Sequence, residues 1–253
     1  MRFVIEAACG CDTGRIRKNN EDNVYFHGKT LEKEHNGLQH PLEMETTIQN
    51  GVTVAVFDGM GGERFGEYAS FAAARELQRS NQKIADRFLP VRRYWKEVVE
   101  RLNGAVLEVQ REMYSERMGS TMVSLSFFGG SVCSVNVGDS RSFRFRNGIL
   151  RQLSEDHVEV RPGRDPRKAP LNRYLGIDPG EMRLEPYIVK EKLRKGDWYL
   201  LCSDGLTDML TDAEIAAVMH HSDNVAACAE SLIRAALERG GRDNVTVIVC
   251  MIK

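Results

Sequence analysis

Five short stretches of the chain hold acidic residues in positions suited to metal chemistry. They are Arg17-Lys-Asn-Asn-Glu-Asp-Asn23, Phe57-Asp-Gly-Met-Gly-Gly62, Val137-Gly-Asp-Ser-Arg141, Ser203-Asp-Gly-Leu-Thr-Asp208 and Gly240-Gly-Arg-Asp-Asn-Val245. In each, an aspartate ends a strand-like run or stands beside a glycine. Two share a design: residues 52–57 run into Asp58-Gly59, and residues 198–203 run into Asp204-Gly205. A carboxylate at the end of a buried strand is costly unless something positive meets it. Several of them imply a shared metal cluster. Oxygen donors with little histidine or cysteine select Mg²⁺, Mn²⁺ or Ca²⁺ over zinc and copper. The absence of an EF-hand loop pattern disfavours calcium. The glycine after Asp58 lets the backbone approach an ion, which makes the Gly59 carbonyl a candidate extra ligand. Two such ions sit about 3.5–4 Å apart and generate a hydroxide suited to attack on a phosphoester. The planar fork of Arg17 would anchor the phosphate.

Taken singly, each stretch has a plainer reading. Asp-Gly is commonly a turn, Asn244 an ordinary turn residue and Arg17 a surface arginine. The spacing of Gly59-Met-Gly-Gly62 matches neither dinucleotide nor phosphate-loop patterns. What singles the set out is that all five occur together, in order, at strand ends. One rival chemistry is present: Cys9 with Arg15, and Cys11 with Arg17, have the Cys-x5-Arg spacing of cysteine-dependent phosphatases. That chemistry needs a helix after the loop and backbone amides curled around the phosphate. Here a polar stretch and another strand follow.

The elements that must position these residues are legible in outline. Segments 2–9, 22–27, 52–57, 121–128, 131–137, 142–146, 149–153, 182–190, 197–203 and 245–252 read as strands, short, apolar and bounded by Gly, Asp or Asn. Phe128-Gly-Gly-Ser131 and Arg146-Asn-Gly-Ile149 read as hairpin turns, which implies antiparallel sheet. Trp95, Val98, Val99, Leu102, Val106, Val109 and Met113 follow helical spacing. Residues 66–79 and 224–239 read as further helices, the latter with Gly240 as its stop. Blocks of helices between runs of strands give an α+β class. Residues 28–51 and 156–180 read as loops. The second carries Arg161, Arg164, Arg167, Lys168 and Arg173: either a solvated loop, or a basic flap beside a site that receives a phosphorylated substrate.

Composition narrows the class. With 253 residues, 42% of them hydrophobic, the chain can bury a sizeable core, and nothing in it marks a linker or a repeat. A net charge of −1 gives no support for nucleic-acid binding. No apolar run reaches membrane-span length, and Glu6 falls too early for a secretory signal, so a soluble cytoplasmic protein is expected. The six cysteines form no Cys-x-x-Cys and share no zinc spacing with the histidines; buried reduced thiols are expected.

Together the five stretches resemble the metal-dependent Ser/Thr protein phosphatases of type 2C, the PPM family, over nearly the whole chain. The resemblance implies one catalytic domain over 1–253, a sandwich of two antiparallel β-sheets flanked by α-helices (α-β-β-α), and a binuclear centre at one end of it. It implies Mn²⁺ or Mg²⁺, two ions with a weaker third. By resemblance, Asp58 is the carboxylate that bridges the metals, with the Gly59 carbonyl as a ligand. Asp204 and Asp243 are the remaining direct ligands. Asp139 belongs to the third ion, shared with Asp204. Glu21 and Asp22 hold metal-bound water, Asn244 orients the last ligand and Arg17 binds the substrate phosphate. Where many eukaryotic members have a histidine proposed as general acid, Met60 stands, as in bacterial members. The implied substrates are phosphorylated proteins, products of Ser/Thr kinases, acted on by a monomer. Two other functions fit the same fold: a catalytically silent phosphoprotein-binding domain and a hydrolase of small phosphoesters.

Overall fold

The computed structural model describes residues 3–60, 65–81, 90–115, 118–159 and 169–253. Strands β1 (Val4–Asp12), β2 (Asp22–Tyr25), β3 (Leu42–Thr47) and β4 (Val52–Met60) lead into helices α1 (Gly66–Asn81) and α2 (Val91–Met113). Then come β5 (Gly119–Ser120), β6 (Met122–Phe128), β7 (Ser131–Val137), β8 (Arg141–Arg146), β9 (Ile149–Gln152), β10 (Tyr187–Lys192) and β11 (Trp198–Cys202). Helices α3 (Asp204–Thr207), α4 (Asp212–His221) and α5 (Val225–Glu238) precede β12 (Val245–Ile252).

The strands form two antiparallel sheets. One has the order β3-β1-β12-β11-β8-β9; the other runs β10-β7-β6-β4-β2, with β5 on the end of β4. Between them lies a core of Ile5, Cys9, Val54, Val56, Leu125, Tyr199 and Ile248. The opposite face of the second sheet, with Phe57 and Val135, packs on α1 and α2 through Ala73, Trp95, Val98 and Leu102. The outer face of the first, with Leu200, Val247 and Val249, packs on α4 and α5 through Ile215, Leu232 and Ala236. The α-β-β-α sandwich follows from the strands themselves. Thr246, Ile248 and Cys250 face one way and Val245, Val247 and Val249 the other, all of them buried, so β12 reads as an unbroken apolar run. Each fully buried Val, Leu or Phe contributes about 1.5–3 kcal/mol.

Several expectations need correction. Residues 28–51 are not all loop, since 42–47 form edge strand β3 on β1. The strand expected over 182–190 begins later, at Tyr187. Two helices, α3 and α4, stand where none was expected. Strand β4 does not stop at Phe57 but runs through Asp58 to Met60. Both expected hairpins close between β6 and β7 and between β8 and β9. In the 156–180 stretch, Arg161, Arg164, Arg167 and Lys168 lie outside the described residues, and so do Gly61 and Gly62.

Candidate active site

Strand pairing brings the motifs to one end of the sandwich. In one sheet the start of β2 meets the end of β4, with Asp22 opposite Asp58, and the start of β6 meets the end of β7. In the other, the end of β11 lies between the starts of β8 and β12, and the end of β1 pairs with Thr246. Asp139 stands in the turn between β7 and β8, Asp204 is the first residue of α3, and Asp243 stands just before β12.

The backbone of Asp58 is held from both sides. Its N–H donates to Thr121 Oγ1 at 3.1 Å, and its carbonyl accepts from Thr121 N at 2.8 Å. Gly59 N donates to Glu21 O at 3.0 Å. Glycine is required there for packing as well. A Cβ on Gly59 would lie 2.1 Å from Gly66 O and 2.5 Å from Glu21 O, so the absent side chain makes room for neighbouring backbone. Asn244 braces the loop before β2. Its Oδ1 accepts from Glu21 N at 2.8 Å, and its Nδ2 donates to Thr13 O at 2.9 Å and Asn19 O at 3.0 Å. Asn244 therefore holds the segment bearing Arg17 and Glu21, while its own backbone N–H donates to Asp243 Oδ1 at 2.9 Å. Arg17 Nη2 reaches Asp243 Oδ2 at 2.6 Å.

Beneath these groups, Asp22 is fully buried. Ser203 Oγ donates to its Oδ2 at 2.8 Å and accepts from Thr246 N at 3.0 Å, while Asp22 Oδ1 has no hydrogen-bond partner among the described residues. Burial, offset in part by Thr246 and Ser203 and reinforced by Asp243 and Glu21, lifts the Asp22 carboxyl to about 7. Burial raises Asp58 well above the usual range, and Asp204, Asp22, Asp139 and Asp243 add to it. Asp204 is raised likewise by burial and by Asp139, Asp243 and Asp208, with Asp58 offsetting part of the rise. Asp139 rises to about 6, first through burial. Burial and Glu67 raise Glu21.

The five aspartates thus form one mutually repelling group. That is the arrangement a cation between them would relieve. Among the described residues no three His, Cys, Asp or Glu side chains form a ready ligand shell around one point. All-carboxylate donors spread over several strand ends suit hard ions that keep much of their water, and not zinc. In this structure Asp243 is engaged by Arg17 through Oδ2.

Sequence reasoning missed several groups. Thr121 and Ser203 position Asp58 and Asp22; Thr121 belongs to no recognisable motif, and Ser203 opens the Ser203-to-Asp208 stretch without having been given a role. Asp208 ends a motif that was noticed and acts on the charge of Asp204. The rival cysteines have no reactive character. Cys9 and Cys11 are buried, burial pushes the Cys11 thiol up to about 12, and strand β2 follows the loop where a helix was needed.

A two-sheet sandwich between helices, with an acidic cluster at the strand ends and an arginine at its rim, defines a class of metal-dependent phosphatases. The chain belongs to the type 2C Ser/Thr protein phosphatases, the PPM family. Residues 49–253 match the family described as stage II sporulation protein E (SpoIIE). The serine/threonine phosphatase stp of Listeria monocytogenes serovar 1/2a is 33% identical over 94% of this chain and 92% of its own. The protein phosphatase PstP of Mycobacterium tuberculosis is 32% identical over 98% of this chain and 45% of its own. The crystal structure of the PstP catalytic domain, in complex with two manganese ions, superposes with a TM-score of 0.78 at 30% identity, covering 99% of both chains.

Proposed function

We propose that this chain hydrolyses phosphoserine and phosphothreonine in proteins, with two Mn²⁺ or Mg²⁺ ions held by the aspartate cluster. The observation that carries this reading is the convergence of Asp58, Asp139, Asp204 and Asp243 at one sandwich end with the Arg17 guanidinium beside them. Asp58, Asp204 and Asp243, with the Gly59 carbonyl, would hold the ion pair, and Asp139 with Asp204 a weaker third. Such ions act as Lewis acids and lower the pKa of bound water. Glu21 and Asp22 would order water at the ions from the β2 side, Asp22 being held there by Ser203. Asn244 keeps the 13–21 segment in place, and Arg17 on that segment would take the substrate phosphate in its fork once released from Asp243. Met60 has no proton to give, so leaving-group protonation falls to water in the site.

The relatives' names support a phosphoprotein substrate. Products of Ser/Thr kinases are the proposed substrates, and a monomeric, cytoplasmic catalytic domain spanning 1–253 is the proposed form; among the described residues no helix is long and apolar enough to cross a membrane. The deciding assay is phosphate release from a phosphothreonine peptide with Mn²⁺, with and without EDTA, for wild type and Asp58→Ala. Turnover should vanish on chelation, return with Mn²⁺ or Mg²⁺, and be absent in the variant. Undiminished turnover in the metal-free protein would overturn the reading.

A further inference from the structure

One buried residue outside the acidic cluster ties three parts of the site together. His157 is 2% exposed, at the start of the 156–180 stretch. Its backbone N–H donates to Gly138 O at 3.1 Å, and its Nδ1 accepts from Gly138 N at 3.1 Å. Both bonds hold the residue immediately before Asp139. Gly138 has φ +103°, and a Cβ there would lie 2.7 Å from the Thr121 side chain, so the turn rests directly on Thr121. Thr121 Oγ1 accepts from Asp58 N and is 2.6 Å from Ser140 Oγ on the other side of Asp139. On its far side, His157 O accepts from Asn172 N, within the same stretch, at 2.9 Å.

A histidine in such a place is more often a space-filling core residue. Here the ring is an inefficient filler. Nδ1 accepts from an N–H, which leaves the proton on Nε2, and Nε2 is buried without a partner among the described residues. A buried unsatisfied donor is destabilising, and an apolar side chain of similar size would avoid it. What the imidazole provides in return is an acceptor for Gly138 N, which would otherwise be orphaned at a left-handed glycine.

We propose that His157 is a positioning residue for Asp139: through Nδ1 it sets the Gly138–Asp139 turn, and with it the Asp139 carboxylate toward the weaker metal position. This rests on the reading of Asp139 as a ligand given above.

The test uses the full chain with His157→Asn, His157→Gln, His157→Leu, Asp139→Asn and the double variant Asp139→Asn/His157→Gln. Asparagine places Oδ1 where the imidazole has Nδ1. Glutamine places its oxygen near Nε2, and leucine has no acceptor. Activity on a phosphothreonine peptide is followed against Mn²⁺ concentration, with thermal melts as a check on folding. His157→Gln and His157→Leu should raise the half-activating Mn²⁺ concentration about 10-fold, the effect typical of residues that orient a ligand, with KM for the peptide little changed. His157→Asn should recover most of this loss. In the Asp139→Asn background, His157→Gln should add nothing further. Equal losses for Asn and Gln, multiplied losses in the double variant, or failure of both His157→Gln and His157→Leu to fold would each overturn the proposal and leave His157 a structural residue. Wild-type behaviour of Asp139→Asn would instead overturn the ligand reading of Asp139, and the proposal with it.

Discussion

Arg17 and Asp243 meet at the rim of the acidic cluster, Nη2 to Oδ2 at 2.6 Å, across 226 positions of sequence. Both side chains are more than a third exposed, so solvent screens the pair and it adds little to stability. Its importance is positional: a cation proposed to bind phosphate is parked on a carboxylate proposed to bind metal. Arg17→Ala should therefore raise KM for phosphopeptides about 10–100-fold, the equivalent of about 1.5–3 kcal/mol for a hydrogen bond to a charged group, and leave kcat nearly unchanged. Mn²⁺ affinity by calorimetry should hold or improve, since Asp243 is freed. Unchanged KM would return Arg17 to the ordinary surface.

Asp22 makes the metal-free protein sensitive to pH. Its folded carboxyl sits at about 7, above its value in the unfolded chain. The folded state then keeps the proton that the unfolded state has lost, so the stabilisation is complete in acid and disappears as pH rises from about 4 to about 7. Each pKa unit of difference corresponds to about 1.4 kcal/mol. In EDTA, wild type should lose stability over that window by more than Asp22→Asn does, measured by urea unfolding at both ends. Equal losses in the two proteins would remove Asp22 as the source.

Asn244→Ala removes three side-chain hydrogen bonds to the 13–21 segment. At about 1 kcal/mol each, the loss should be about 2–3 kcal/mol of unfolding free energy. The peptide KM should rise as well, because Arg17 rides on that segment. A stability loss with unchanged KM would show that the segment keeps its shape without the brace.

Cys11→Ser should leave Mn²⁺-dependent turnover within about threefold of wild type, because a buried neutral thiol is not a nucleophile. Among the described residues Cys11 Sγ accepts hydrogen bonds from Asn20 Nδ2 at 3.2 Å and Thr246 Oγ1 at 3.1 Å. Abolished turnover with metal binding retained would revive the cysteine chemistry.

Contiguous sequence was enough for the features that depend on near neighbours. The apolar run of 245–252, the periodicity from Trp95 to Met113, and the two hairpin turns are local properties of the chain, and each element stands where they put it. Helix α4 was legible and overlooked: Thr211 and Glu214 form a capping box. Strand β3 was not legible, because an edge strand with Leu42, Glu43 and Glu45 exposed and Met44 buried shows too short an alternation to stand out from a polar loop. For the site, the acidic motifs and their preference for hard cations could be read from residue types alone, since ligand chemistry belongs to the side chain. Only the tertiary structure decided what those carboxylates experience. The bond from Ser203 to Asp22 spans 181 positions, and the mutual electrostatic influence of Asp58 and Asp204 and the hold of His157 on the Asp139 turn likewise join separate elements. Charge state depends on burial and on groups within a few ångströms, and those neighbours exist only after β2 and β4 have packed against β11 and β12.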